Sequence, residues 1–450
     1  MLSRSDVKEL LNESACSHNK TKKTSCDKTT PGATSGGCAF EGAQISLFPY
    51  ADAVHLVHGP MTCLGASWET RQTGTSYQGE DHTQMGFTTG VTANDVIFGG
   101  DKKLADAIDY IMKTRSPEAI FVYSTCVTAL VGDDIDAVCD AKEKQYNIPV
   151  VAIHAAGFVG GKNLGSRIAG EYVLEKLVGT KEPETSTPYD INLIGEYNVT
   201  GDMWQYIPIL EKIGIRVLST LSGDGRVEKI RTAHRAKLNV IVCAKSLITF
   251  CRKMEEQYGI PYISTSFYGM RDTKKAIMDI THALGDPELI KKAETVLAEE
   301  EAKLDEKLKP YREFFKGKKA VLNTGGNKSW SIASALQDMG IEVVATSIRK
   351  ATEEDIAIAR EYLGPDGILM KVPAKEQAGV IDKTGAHILL AGGRSLYTAI
   401  KKRIAFIDVN QEKKLSYGGF DGLLNLAEDV KKVLQNPVFQ NVAKAAPWEK

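Results

Sequence analysis

A chain of 450 residues is too long for one ordinary hydrophobic core, and about three domains is the expectation. Its 43% apolar and 25% charged residues are those of a globular protein. Its net charge of −1, from 56 basic and 57 acidic side chains, gives no reason to expect nucleic acid or an anionic membrane as partner.

Residues 1–35 are polar, with Lys20, Lys22, Lys23 and then PGATSGG, which predicts a short helix followed by a flexible N-terminal arm. No signal peptide is legible there, and no apolar run approaches the roughly 18 residues of a bilayer span. A cytoplasmic setting is therefore expected, and with it reduced thiols for the eight cysteines at 16, 26, 38, 63, 126, 139, 243 and 251. Residues 36–187 read as a first α/β domain. AIFVYS (119–124) and PVVAIHA (149–155) are strands, and the stretches 131–146 and 164–179 are helices. The polar, proline-bounded KEPETSTP (181–188) reads as a linker. A second domain, 188–316, has expected strands at 190–195, 215–220 and 238–243 and helices at 203–213, 226–234 and 245–258. Its charged end, 286–316, reads as a solvated connecting helix. A third domain, 317–450, has strands in KKAVLNTGG, IEVVATS, GILMKV and HILLAGG, and helices at 328–339, 352–363 and near 421–435. Strands alternating with amphipathic helices imply parallel sheets joined by crossover helices. The fold class is α/β, as three doubly wound (Rossmann-like) parallel-sheet domains.

Three cysteines sit in glycine-rich or strand-end turns: GGC38AF, GPMTC63LG and YSTC126VTALVGDD. In a reducing compartment, thiols so placed read as metal ligands before disulfide halves. Iron–sulfur clusters are held by thiolates, usually four, so a convergent set of Cys38, Cys63 and Cys126 needs a fourth ligand from elsewhere, such as another chain. Open α/β sheets bind ligands at the carboxyl ends of their strands. Four such ends are distinctive here: Cys126, Cys243, Gly325-Gly326-Asn327-Lys328 and Gly392-Gly393-Arg394. The last two offer backbone N–H groups and a cation at a helix start, which suits an anion, although a plain tight turn has the same letters. Cys243 reads equally as a ligand or as a buried core thiol. Cys139 and Cys251 fall inside helices and read as packing residues, and Cys16 and Cys26 as surface thiols. GFVGGKN (157–163) departs from a phosphate loop at Ala156 and Asn163. Asp133 and Asp134 read as helix capping before metal binding. His55 and His58 have no second pair that would complete a zinc site.

Several of these segments together are highly specific. CAFEGAQISLFPYADAVHLVHGPMTCLG, YSTCVTALVGDDIDAV, HAAGFVGGKNLGSRIAGE, IGEYNVTGDMW, NVIVCAKSLITFCRKMEEQYGIPY and YGGFDGLLNLAEDV resemble the nitrogenase component 1 superfamily over nearly the whole span 36–435. Within it the chain is most similar to the subunits that scaffold cofactor assembly. The resemblance implies cluster sites between the domains. It implies that Cys38, Cys63 and Cys126 give three thiolates to a [4Fe–4S] cluster shared with a NifN-like homologous subunit in an α2β2 heterotetramer. It implies that Cys243 ligates one end of an iron–sulfur precursor of the iron–molybdenum cofactor, with Arg71, Lys328 and Arg394 as cationic contacts. It implies that molybdenum and homocitrate are then added with the help of the nitrogenase iron protein, with a cluster donor and apo-nitrogenase as transient partners. The departures matter as much. Gly418, in Tyr417-Gly418-Gly419-Phe420-Asp421-Gly422, stands where the catalytic subunit has a histidine ligand. Lys162-Asn163-Leu164-Gly165-Ser166-Arg167 replaces a stretch that there carries glutamine and histidines. Both departures imply an assembly scaffold without catalytic residues, and a histidine at 418 would be expected to restore a second anchor. The alternatives are the catalytic α subunit of a divergent nitrogenase and a nitrogenase-like tetrapyrrole reductase.

Overall fold

The computed structural model describes residues 37–68, 85–242, 244–349, 351–410, 413–442 and 444. Cys16, Cys26, Arg71 and Cys243 lie outside the described residues.

Parallel sheets organise the chain, three of them among the described residues. The first contains β1 (Ala53–His58), β2 (Gly86–Thr88), β3 (Ala119–Ser124) and β4 (Val150–Ile153), in the order β2-β1-β3-β4. The second contains β5 (Asp190–Ile194), β6 (Arg216–Leu221), β7 (Leu238–Ile241) and β8 (Tyr262–Ser264), in the order β6-β5-β7-β8. The third contains β9 (Lys319–Asn323), β10 (Glu342–Ser347), β11 (Ile368–Met370), β12 (Ile388–Ala391) and β13 (Ala405–Asp408), in the order β11-β10-β9-β12-β13. The strands of each sheet pair in parallel, with registers such as Val57↔Tyr123, Ile194↔Ile241 and Ala391↔Asn323. They read as continuous apolar runs because helices cover both faces; β1 and β3 are buried along their whole length. In each sheet the chain starts in the middle and turns both ways, so the order reverses beside β1, β5 and β9. A crevice opens at the carboxyl end of each such point.

The sheets share cores. One buried cluster joins Ala39, Leu47 and Phe121 to Ile194, Leu221, Leu247 and Phe250, so the first sheet packs onto the second. A second joins Leu193, Leu210 and Val240 to Leu322, Leu336 and Ile388, so the second packs onto the third. The helix Gly419–Gln435 buries Leu423, Leu426, Ala427 and Val430 in that same cluster, and its Glu428 accepts Tyr311 Oη at 2.8 Å.

Three local expectations are corrected. The helix expected at 131–146 starts at Ile135 and runs to Tyr146; Val131 instead ends a separate preceding helix, Cys126–Val131, which Gly132 terminates with φ +85°. The charged helix Pro287–Phe315 is solvated on one side only: Leu289, Ala293, Val296, Leu297, Leu304, Leu308 and Phe315 form a buried stripe. The helix Pro373–Thr384 lies between two strands where the sequence predicts none. Its buried face carries Gln377, which bonds Asn323 and Thr398, so apolar periodicity is too weak to announce it.

Candidate functional site

The three predicted cysteines converge. Cys38 caps the helix Ala39–Leu47, Cys63 lies in the first turn of Met61–Trp68, and Cys126 is the first residue of Cys126–Val131. They therefore stand at helix starts rather than in open turns. Cys63 and Cys126 follow β1 and β3, the two strands at the switch point of the first sheet. Cys38 arrives by a close helix crossing. A Cβ on Gly42 would run into the Lys162 carbonyl and one on Gly165 into the Ala39 carbonyl. The two backbones touch there, Ser166 Oγ donates to Gly42 O at 3.1 Å, and Cys38 bridges Gly161.

Gly157 forms the floor between two of the thiols. A Cβ built on it would lie 3.0 Å from Cys126 Sγ and 3.3 Å from Cys38 Sγ, so both sulfurs flank one point above a bare backbone. Burial pushes the Cys63 thiol up, and the charges of Cys126 and Cys38 push it further, which places all three within electrostatic reach. Thiolates gathered this closely repel one another, and a metal cluster relieves that repulsion by binding them and releasing their protons. Among the described residues no three His, Cys, Asp or Glu side chains close on a single metal ion. An iron–sulfur cluster instead takes one thiolate on each of several irons. The donor set and the floor under it fit such a group.

The surroundings are apolar and open. Cys126 is exposed, and Met61, Ile97, Phe98, Leu130 and Phe158 lie on the same or adjoining elements with their side chains in solvent; Phe98 is 84% and Leu130 77% exposed. The helix Ala93–Phe98 packs against Cys126–Val131, so exposed Ile97 and Phe98 lie on the element next to the one that carries Cys126. A patch of this kind marks a contact surface.

The other candidate residues of the sequence fall into place. His55 is buried between Tyr123 Oη (2.8 Å) and Tyr50 O (3.2 Å). His58 meets Asp133 and Thr89. Asp134 caps the helix Ile135–Tyr146 by accepting Ala137 N–H at 3.1 Å. Cys139 and Cys251 are buried, and burial raises both thiols far above their ordinary value, as packing residues require.

A second group of polar side chains lines the facing carboxyl edges of the second and third sheets. Asn327 donates to the carbonyl of Val242, which sets the Gly325–Lys328 turn beside the end of β7, at the residue before Cys243. The hydroxyls of Ser222 and Thr324 are buried here without a partner among the described residues. Lys328 Nζ lies 5.2 Å above the Tyr268 ring. Arg394, on the adjoining loop, is exposed, and Asn323 Nδ2 reaches Ser395 Oγ at 3.0 Å to couple the two loops. Beneath them Asp202 is a buried hub. It pairs with Lys413 Nζ, accepts Tyr417 N–H at 2.7 Å and Gly418 N–H at 3.1 Å, and meets Tyr268 Oη at 3.2 Å. Burial alone would raise its carboxyl, but Lys413 and Lys328 outweigh that and hold it ionised. Nearby Glu196 is raised, first by burial and then by the Asp202 charge. Sequence reasoning quoted Glu196 and Asp202 within IGEYNVTGDMW without giving them a role and missed Lys413; the three meet only across the fold.

Gly418 corrects an expectation. A Cβ there would lie 2.7 Å from the Asp202 carbonyl oxygen, with the Asp202 backbone and Cβ behind it. The position is closed by main chain, so a histidine cannot enter without displacing it.

A model of the nitrogenase component 1 type oxidoreductases matches residues 38–435. The chain is 53% identical over 450 residues to the nitrogenase iron-molybdenum cofactor biosynthesis protein NifE of Nostoc sp. (strain PCC 7120 / SAG 25.82 / UTEX 2576), covering 98% of this chain and 93% of that one. It is 43% identical over 454 residues to the protein of the same name from Klebsiella pneumoniae, covering 98% and 99%. Among solved structures, nitrogenase Cp1 at pH 5 superposes with a TM-score of 0.85 at 28% identity, over 98% of this chain and 99% of that one.

Proposed function

The chain belongs to the nitrogenase component 1 type oxidoreductase family, and we propose that it is the scaffold subunit on which the precursor of the iron–molybdenum cofactor is held, matured and passed on. The names of its relatives support this reading. The observation that carries it is a contrast within one chain. Three thiols are gathered at an exposed apolar edge, while the pocket between the second and third sheets has no side chain, and no room for one, at Gly418.

At the first site Cys38, Cys63 and Cys126 would hold a resident [4Fe–4S] cluster over Gly157, leaving one ligand to a NifN-like homologous subunit. When bound, the cluster supplies an electron store and a shared covalent link between subunits. The exposed apolar residues Met61, Ile97, Phe98, Leu130 and Phe158 support pairing there, as an α2β2 heterotetramer. At the second site the cargo is an anionic iron–sulfur precursor. Cys243 gives it one thiolate, and Arg71, Lys328, Arg394 and the glycine-rich turns give it charge and N–H donors. One strong ligand plus electrostatic contacts holds a cluster yet lets it leave, which suits a site where molybdenum and homocitrate are added with the nitrogenase iron protein. The donor of the precursor and apo-nitrogenase then dock transiently. No residue of this chain is assigned a catalytic role, and the reduced thiols fit the cytoplasm.

The test is iron content and EPR of the protein co-purified anaerobically with its paired subunit. Cys243→Ala should lose the precursor and keep the interface cluster, and full precursor retention in that variant removes Cys243 from the pocket.

A further inference from the structure

We propose that the buried His58–Asp133 pair is a positioning device for the thiolate site, gripping both ends of the helix that carries Cys126 and fixing them to the turn that carries Cys63. The proposal rests on the reading of Cys38, Cys63 and Cys126 as cluster ligands.

His58 ends β1, and Gly59 and Pro60 lead directly from it into the helix Met61–Trp68. Its carbonyl accepts Thr125 Oγ1 at 3.1 Å and Thr128 Oγ1 at 2.9 Å, the residues on either side of Cys126 at the start of Cys126–Val131. Its imidazole Nε2 lies 3.0 Å from Asp133 Oδ2, just past the other end of the same helix. Asp133 Oδ1 accepts Gly100 N–H at 2.8 Å, which anchors the pair to a third segment. Nδ1 meets Thr89 Oγ1 at 3.1 Å, and that oxygen already accepts Gly59 N–H at 3.1 Å. The carboxylate can only accept, so the neutral imidazole carries its proton on Nε2, and Nδ1 accepts the Thr89 hydroxyl. The side chains of His58 and Asp133 are 0% and 3% exposed. Nothing here can slide: a Cβ on Gly59 would strike Thr125, and one on Gly100 would strike Asp133 and His58. A short helix has little stability of its own, so its place is set by what holds its ends. Here one residue holds both ends and also begins the turn that presents Cys63.

Outer partners that orient metal ligands are worth about 10- to 100-fold in affinity. The test uses the protein purified with its paired subunit, in a Cys243→Ala background so that iron reports the thiolate site. His58→Ala should lose iron to a chelator about 10- to 100-fold more readily and alter the cluster EPR signal. His58→Gln, whose amide N–H can reach Asp133, should restore part of both. His58→Ala with Asp133→Ala should be no worse than His58→Ala alone, because the two act as a unit. Wild-type chelator resistance and EPR in both single alanine variants would overturn the proposal. If His58→Ala fails to fold by circular dichroism, Asp133→Asn and Thr89→Val carry the test, since both keep the side-chain size. Iron loss in them supports it and full retention overturns it. Full iron in Cys38→Ala would instead remove the thiolate site itself, and with it the reading on which the proposal rests.

Discussion

At the scale of single residues, the fold turns familiar side chains into unusual ones by burial. Asp272 is 2% exposed at the start of the helix Met270–Leu284 and accepts Tyr362 Oη at 2.6 Å. Burial raises its carboxyl to about 6. A raised carboxyl binds its proton more tightly folded than unfolded. Its contribution to stability is thus fully present below the ordinary carboxylate range and is lost as pH rises through about 6. The loss at neutral pH is about 3 kcal/mol, because each tenfold gain in proton affinity on folding is worth about 1.4 kcal/mol. Denaturant midpoints measured from acid to neutral pH should fall for the wild type and flatten for Asp272→Asn; an equal slope in both would exclude this residue as the cause. Gly418 is decided by space. Gly418→His should cost about 1–3 kcal/mol by overpacking against the Asp202 backbone, read as a lower melting temperature, and should not tighten precursor retention. A variant that melted like the wild type and held its cargo longer would show that the site opens.

Elements bring those residues together. The helices Ala39–Leu47 and Lys162–Lys176 cross with no side chain between Gly42 and the Lys162 carbonyl or between Gly165 and the Ala39 carbonyl. That contact delivers Cys38 to the floor formed by Gly157. Gly165→Ala should push the helices apart, destabilise the chain by about 1–3 kcal/mol and lower iron at the thiolate site together with it. Unchanged iron and melting in that variant would mean that the crossing does not set the position of Cys38. The proposed precursor site is built differently, from loops rather than helices. Asn327 holds the Gly325–Lys328 turn to the end of β7, and Asp202, at the start of the helix Asp202–Ile213, holds the Tyr417–Gly418 segment. Loops anchored at a few points suit a pocket that must exchange its contents.

At the scale of the molecule, the described residues form three sheets with shared cores, and Cys126 lies exposed at the edge of the first with Met61, Phe98 and Leu130 exposed on the same or neighbouring helices. Phe98→Asp should leave the isolated chain folded, since the side chain is 84% exposed, yet weaken pairing with the homologous subunit about 10-fold or more. Co-purification yield and sedimentation would measure this, and unimpaired pairing would move the interface elsewhere. Each of Cys38→Ala, Cys63→Ala and Cys126→Ala should lower interface iron and pairing together, because cluster binding and assembly share free energy. Cys139→Ala should keep full iron, since its thiol is buried in a helix core. Iron lost from Cys139→Ala but kept in Cys126→Ala would reverse the assignment.

The sequence alone determined the α/β class and most element positions, because strand and helix periods are local properties of a few neighbouring side chains. AIFVYS is the strand it reads as, and Ala244–Tyr258 begins within one residue of its expected start. It also singled out Cys38, Cys63 and Cys126, since thiols at glycine-rich strand ends are chemically conspicuous. What it left undetermined is non-local. The Gly157 floor, the Gly42 and Gly165 crossing, the Asp202 hub and the grip of His58 on both ends of a helix join residues far apart in the chain, and no spacing rule encodes them. Gly418 shows the difference most clearly. In sequence it is a missing ligand; in the fold it is a place where another segment's main chain lies too close for any side chain. Only tertiary packing can convert an absent atom into a forbidden one, because the neighbour that forbids it is brought there by the rest of the molecule.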